Sequence, residues 1–314
     1  MYYPYFRGKQ NELITIRENA ALLKEANFTP IVEPVKRSIN GLKRTLDAVI
    51  EAEGKIIVIV NPCYGDFKGD LEDLSTLIET EYAESDHIKV GILLSENTTV
   101  QQVLDLYGRH NTHQVVLVHS GFSKGQDLSE SLNEVDVKVQ HVFIEEHCGK
   151  LYRRHFPGEN RILIRDGFVR KNNRDYPPLE FFSDLHVTFE EEGVSGFGDF
   201  LITGDEFRES GGPAYAIAIH LTFIDSLRDD EMHIHHFVSI RQDTPTDPAG
   251  KFSEALKKLV EEADKRESYI LDTRAVSEFR ELHRRQHYPG LGYVKKLSMQ
   301  HHIETLAQYF RGLR

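Results

Sequence analysis

The run IIVIV (56–60) decides the fold. A strand with one wet face alternates apolar and polar residues, whereas an unbroken β-branched run belongs in a parallel sheet covered on both faces. Similar runs recur on either side of it: TPIVEPV (29–35), IKVGILL (88–94), QVVLVHS (114–120), QHVFIEE (140–146), RILIRD (161–166), LHVTF (185–189) and YAIAIHLTF (215–223). With IIVIV these make eight candidate strands.

Helix signals lie between the early strands. Ser38 and Asn40 precede LKRTLDAVIEAEGK, where Leu42, Leu46, Val49 and Ile50 share a face and Gly54 suits a C-terminal cap. LEDLSTLIETEYA (71–83) and TTVQQVLDLYGRH (98–110) are amphipathic in the same way. Strands spaced roughly 20–35 residues apart with helices between them predict an α/β fold, a (β/α)8 TIM-like barrel, with a doubly wound open sheet as the alternative. HLTFIDSLRDDEMHIHHFVSIRQ (220–242) reads as an antiparallel hairpin that extends the last strand. Beyond the turn-rich QDTPTDPAG, the segments KFSEALKKLVEEADKRE and VSEFRELHRRQ and the tail from Ser298 read as C-terminal helices. The expectation is one barrel domain over 1–314, elaborated over 224–314 by the hairpin and these helices.

Composition narrows the class. The chain has 314 residues, 39% of them apolar, and no apolar run long enough to span a bilayer. Fifty acidic against 38 basic residues give a net charge of −12, which disfavours broad nucleic-acid binding. The adjacent pairs Arg153–Arg154 and Arg284–Arg285 are local exceptions. Cys63 and Cys148 fit neither a disulfide framework nor a structural zinc, so reduced thiols and a cytoplasmic location are expected. The opening MYYPYFRGKQNEL puts its cations behind a short aromatic run, the reverse of a signal peptide, and reads as part of the mature fold.

In a barrel, polar residues at the C-terminal strand ends converge on one face. Those positions are Glu33, Asn61, Ser95, Glu96, His119, Ser120, Glu145, Glu146, Arg165, Asp166, Glu190 and His220. Carboxylates, imidazoles and a guanidinium there would serve metal-assisted or general acid–base hydrolysis, although charge at a strand end is ordinarily a solvated rim. Glu33 stands out because Val32 and Pro34 flank it; a buried carboxylate needs a partner, and Arg7 or Lys9 would serve. A structural ion pair and a functional site are both open at that position.

In SGFGDFLITGDE (195–206), glycines flank Asp199 and could bring it close to a ligand, with a loop-organising acid as the plain alternative. The stretch is neither a P-loop nor GxGxxG. HIHH (233–236) offers two same-face histidines, too few ligands for a metal, so surface histidines on the hairpin are the favoured reading. His301 and His302 read as part of an amphipathic helix, and GxSxG is absent.

The opening YYPYFRGKQNEL, with FTPIVEPV, GFGDF, AIAIHLTF and SMQHHIETL, resembles the bacterial and phage Beta-protein family across nearly the whole chain. The chain departs from that family's more usual Lys-Trp-Lys in having Arg7-Gly8-Lys9. The resemblance implies a barrel-like fold and, for some relatives, a mobile or phage-defence gene neighbourhood, sometimes beside a nuclease-like protein partner, and no settled activity. Its matched positions are Tyr3, Pro4, Arg7, Lys9, Glu12, Pro30, Glu33, Asp199, His220, His301 and His302.

Two functions follow as expectations. In the first, a barrel enzyme of antiphage defence takes a phosphate-bearing or nucleotide-like ligand. Arg7, Lys9, Asn61, Arg165 and His220 would bind that ligand, Glu33, His119, Glu145 and Asp199 would supply acid–base chemistry, and a divalent metal is the cofactor this donor set would suit. In the second, a non-catalytic subunit positions a nuclease-like effector through the appended hairpin and helices, with no membrane involved.

Overall fold

The computed structural model describes residues 1–67, 72–134, 139–209, 212 and 214–313. Its strands in chain order are β1 (Tyr5–Phe6), β2 (Ile31–Val32), β3 (Ile56–Ile59), β4 (Ile88–Leu94), β5 (Val115–His119), β6 (Gln140–Ile144), β7 (Arg161–Ile164), β8 (Leu179–Ser183), β9 (Gly196–Gly198), β10 (Ala218–Asp225) and β11 (Glu231–Val238). They fall into two compact units, Met1–Asp166 with Thr188–Phe200 and Gly167–Val187 with Leu201–Arg314.

The first unit is a (β/α)8 TIM-like barrel. Eight parallel strands pair in the order β1-β2-β3-β4-β5-β6-β7-β9. A parallel bridge between Tyr2 and Phe197, with the bonds Tyr3 N to Phe197 O (2.8 Å) and Tyr5 N to Asp199 O (2.9 Å), brings the last strand back to the first. Helices over Asn40–Glu51, Glu72–Glu81, Val100–Arg109 and Gly125–Glu134 alternate with the strands. Leu71, the first residue of one expected helix, lies outside the described residues. Thr99 caps its helix through a reciprocal box with Gln102, which satisfies backbone donors that the helix start leaves open. After the helix Asn40–Glu51 it is Glu53, not the expected Gly54, that takes the left-handed conformation (φ 53°).

Alternation along the strands sorts side chains between the barrel interior and the helix layer. Tyr3, Tyr5, Ile31, Ile57, Ile59, Leu93, Val116, Val118, Val142, Ile144, Ile162, Ile164 and Phe200 fill the interior as one cluster. Each fully buried aliphatic among them contributes about 1.5–3 kcal/mol against exposure.

Two of the expected barrel strands are something else. LHVTF (185–189) contains the short helix Leu185–Thr188, and YAIAIHLTF forms β10 in a separate antiparallel sheet of order β10-β11-β8. Their places in the barrel are taken by β1 and β9, from the aromatic opening and the Gly-rich stretch. Neither shows an aliphatic run. β1 is two residues of Tyr and Phe, and β9 needs its glycines, because a Cβ on Gly198 would run into the Tyr3 carbonyl and one on Gly196 would sit 2.8 Å from the Tyr3 ring.

In the second unit the expected hairpin is present as β10 and β11, and β8 adds to it antiparallel. The helices Pro248–Ala263, Arg274–Arg285 and Leu291–Gly312 pack with it around a core that includes Ile217, Ile219, Leu221, Phe223, Phe252, Leu259, Phe279 and Leu297. The last of these helices starts at Leu291, ahead of the expected Ser298.

Candidate functional site

The interior parity places Glu33 and Arg7 at the C-terminal mouth of the barrel. Glu33 follows Ile31 on the inward face and is 0% exposed; Arg7 follows Tyr5 and is 6% exposed. The two form a buried ion pair through Arg7 Nη1 and Glu33 Oε2. Glu33 accepts three further bonds: from the Tyr5 hydroxyl (2.9 Å), from the Cys63 backbone N–H (3.1 Å) and from the Cys63 thiol (3.5 Å). Four donors on one carboxylate repay much of the cost of its desolvation.

The guanidinium is held as tightly. Its carbon lies 5.0 Å from the Tyr5 ring centroid, 4.8 Å from Tyr64 and 5.2 Å from Phe200, a cation–π arrangement on three rings. Gly8 turns the chain out of β1 with φ 63°, where an added Cβ would press on Glu33 O at 3.1 Å. Burial, and then the Glu33 charge, push the Cys63 thiol up to about 12, so it stays protonated and donates. The Tyr5 phenol is raised well above its usual value for the same reasons, burial first.

The other expected site residues do not join this cluster. Asn61 faces inward but clamps the next strand: its Nδ2 donates to Leu93 O (2.8 Å) and its Oδ1 accepts from Leu93 N (2.7 Å). Lys9 is half-buried at the start of the helix Gln10–Glu18, where burial raises the pKa of Glu12 and the Lys9 charge partly opposes it. His119 lies one position beyond inward-facing Val118 and so points into the helix layer. There it is 0% exposed, stacked on Phe143 with centroids 4.5 Å apart and bonded to Tyr152 Oη (2.7 Å) and His141 Nδ1 (3.0 Å). Burial, and then His141, hold its pKa well below 6.5.

Arg165 and Glu145 also face outward and pair with each other (Nε to Oε2 2.5 Å), with Glu192 3.5 Å from Arg165. Asp199 precedes inward-facing Phe200, points away from the mouth and accepts from the Tyr2 hydroxyl at 2.7 Å.

No family model and no solved structure matches the chain. Among curated proteins it is similar to the FR901469 synthetase of Dothideomycetidae sp. (strain 11243), 25% identical over 206 residues. That stretch is 65% of this chain and 1% of the synthetase, so the chain spans about a hundredth of that protein's length. The similarity carries no activity across.

His220 belongs to the second unit, not to the barrel mouth. Its Nδ1 lies 2.7 Å from His236 Nδ1, and His236 Nε2 lies 3.1 Å from Glu180 Oε2. Burial and then His236 hold the His220 pKa well below 6.5. The hairpin histidines are not surface residues either: His233 is 8% and His236 4% exposed, and His235 stacks on Phe237 at 3.9 Å. His301 and His302 are fully buried, bonded to Thr273 and to Thr222. No helix among the described residues is long and apolar enough to cross a membrane.

Cys63 and Tyr64 are the mouth residues that the strand-end reading passed over. The signal was available in part. Counting by twos from Ile57 and Ile59 reaches Asn61 and then Cys63 on the inward side, whereas the ring contact of Tyr64 with Arg7 depends on the loop conformation.

Proposed function

We propose that this barrel binds a small anionic ligand, phosphate- or nucleotide-like, at its C-terminal mouth beside Arg7. In this reading it is a binding component, in the antiphage-defence setting that the Beta-protein resemblance implies, rather than a hydrolase. One observation carries the proposal: Arg7 is a nearly buried guanidinium oriented by Glu33 and by three ring faces. A planar, pre-oriented fork suits an oxyanion, and fixing it in advance lowers the ordering cost of binding. Glu33 does not forbid the added negative charge, because Tyr5 and Cys63 also donate to it.

Binding is favoured over hydrolysis by where the other candidate acids and bases lie. Asp199 is engaged by Tyr2, Glu145 by Arg165, and His119 is enclosed among aromatic rings. General acid–base chemistry needs such groups within hydrogen-bond reach of one reacting centre.

The test is a thermal-shift titration with nucleoside mono- and diphosphates, followed by ³¹P NMR for turnover. A ligand at 100 times its Kd stabilises by about 2.7 kcal/mol. Arg7→Lys keeps the charge, loses the fork and is expected to weaken binding about tenfold. The mouth reading fails if no phosphate compound shifts the transition. Turnover that disappears in Glu33→Gln would replace binding with catalysis.

A further inference from the structure

The Arg153–Arg154 pair is a local exception to an acidic chain that the mouth does not explain. In the other such pair, Arg284 and Arg285 both contact Glu281 on their own helix, 2.7 Å from Arg284, an ordinary solvated arrangement. The surroundings of Arg153–Arg154 differ. Beside them lies a cavity of ≈ 430 Å³ on the N-terminal side of the barrel, lined by residues of the Gly125–Glu134 helix, the start of β6 and the segment leading into β7. That volume is in the range of small-molecule sites. Its polar lining includes Arg154, Arg161, His141 and Asn160, with Glu159 as the one acidic side chain among the described residues.

These cations are short of anionic partners. Neither Arg154 nor Arg161 makes an ion pair among the described residues. Among the described residues Arg161 Nε is buried without a hydrogen bond, and the guanidinium's one bond is a long one, 3.5 Å, to Arg153 O. Its carbon lies 5.5 Å from the Phe143 ring centroid, which holds the group in place. Burial, and then the nearby Arg153 charge, lower the Arg161 pKa. Among the described residues Arg153 itself has one carboxylate, Glu192 at 3.7 Å, and a buried Nη1 without a bond.

His141 is held ready at the same cavity. With Tyr152 as the phenol donor, the chain Tyr152 O–H to His119 Nδ1 (2.7 Å), then His119 Nε2–H to His141 Nδ1 (3.0 Å), leaves His141 with its proton on Nε2. That nitrogen has no hydrogen-bond partner among the described residues, and His141 lines the cavity. Burial, and then Arg161, push His141 down to about 4, so at neutral pH the ring would meet a ligand as a hydrogen-bond donor and not as a cation.

We infer that this cavity is a second binding site, for a small molecule carrying a phosphate or carboxylate group, held by Arg161 and Arg154 with His141 donating to the same oxyanion. It lies at the end of the barrel opposite the mouth, shares no residue with it and stands independently of the mouth reading. An oxyanion there supplies the counter-charge that Arg154 and Arg161 lack among the described residues, and Phe156 and Pro157 give the rest of the ligand an apolar wall.

The experiment titrates full-length protein with inorganic phosphate, adenosine monophosphate and citrate, read by thermal shift and by ¹⁵N signals of the histidine rings. Saturable stabilisation that weakens with salt, with the His141 ring signals moving, is expected for at least one probe. Phosphate and citrate separate the two oxyanion classes. Arg161→Gln is expected to weaken binding about tenfold or more, as loss of a bidentate donor does. Arg154→Gln, at an exposed position that does not threaten the fold, should weaken it by a smaller factor, and Arg7→Lys should leave the His141 ring response unchanged, whatever it does to a nucleotide at the mouth. The inference is overturned if none of the probes binds by about 10 mM, a level far weaker than specific sites need. It is equally overturned if both arginine variants titrate like the wild type, or if binding is lost in Arg7→Lys alone, which would assign it to the mouth.

Discussion

The two units bury polar side chains by different means. In the barrel unit a carboxylate, Glu33, is withdrawn wholly from water and held by a guanidinium, a phenol, a thiol and a backbone amide. In the second unit two imidazoles are withdrawn wholly from water: His301 between Thr273 Oγ1 and Thr222 O, and His302 on Thr222 Oγ1. A buried charge must keep its counter-charge, so it tolerates substitution badly. A buried neutral imidazole needs only hydrogen bonds, yet it becomes a liability as soon as the solvent can protonate it. The barrel mouth should therefore be broken by mutation and the second unit by acid.

The largest effect is expected at Glu33. Glu33→Ala leaves Arg7 buried without its carboxylate and should cost about 3–5 kcal/mol in chemical denaturation of the barrel unit. A loss below about 1 kcal/mol would mean that the pair is solvated, and the contrast would collapse.

Acid comes next. Burial lowers His301, His235 and His236 to about 4. The unfolded chain, with histidines near 6.5, binds protons that the folded unit refuses, so stability is full above pH 6.5 and falls as pH drops toward 4. Hydrogen exchange at pH 4.5 against pH 7 should show the second unit opening first, at about 2–3 kcal/mol for a fully buried ring. The barrel also buries His110, His119 and His141, so a control with His301→Asn is needed, and it should flatten the acid response of the second unit.

Smaller effects sharpen the barrel side. Gly198→Ala drives a methyl into the Tyr3 carbonyl where β9 meets β1, and should cost about 1–3 kcal/mol, with exchange rising first at Tyr3 and Tyr5. The smallest concerns Lys89, which is 7% exposed, bonded to Gln140 Oε1 at 3.3 Å and lowered to about 8 by burial and then by Lys55. Its charged form is disfavoured in the folded state, a penalty present below pH 8 and relieved as pH rises toward 10.5. Lys89→Met should therefore stabilise the barrel by about 1 kcal/mol at pH 7 and bring no gain at pH 10.5, as midpoint shifts would show.

Much of the barrel was legible in single segments. Six of its strands, β2 to β7, lie within apolar runs read directly from the sequence, because parallel strands covered on both faces have no polar alternation to obscure them. The partner of Glu33 was narrowed to Arg7 or Lys9 on desolvation cost alone, and Arg7 is the one that pairs with it. The site list fared differently because a residue at a strand end can face inward or outward. His119, Glu145, Arg165 and Asp199 all fall on the outward parity, which counting from Val118, Ile144, Ile164 and Phe200 would have exposed. His220 was misplaced along with its strand, since YAIAIHLTF has the same apolar texture whether it joins a parallel barrel or an antiparallel sheet.

By itself the sequence determined the class of fold, the hairpin, most of the helices and the need for a cation near Glu33, because each rests on local periodicity or on the cost of burying one charge. Only the tertiary structure decided which strands close the barrel, since β1 and β9 are short and are strands only by virtue of each other's backbone bonds. It alone gathered Tyr5, Arg7, Glu33, Cys63, Tyr64 and Phe200 at one mouth, and Arg154, Arg161 and His141 at the opposite end. Proximity between residues far apart in the chain is a property of packing, and no local pattern encodes it.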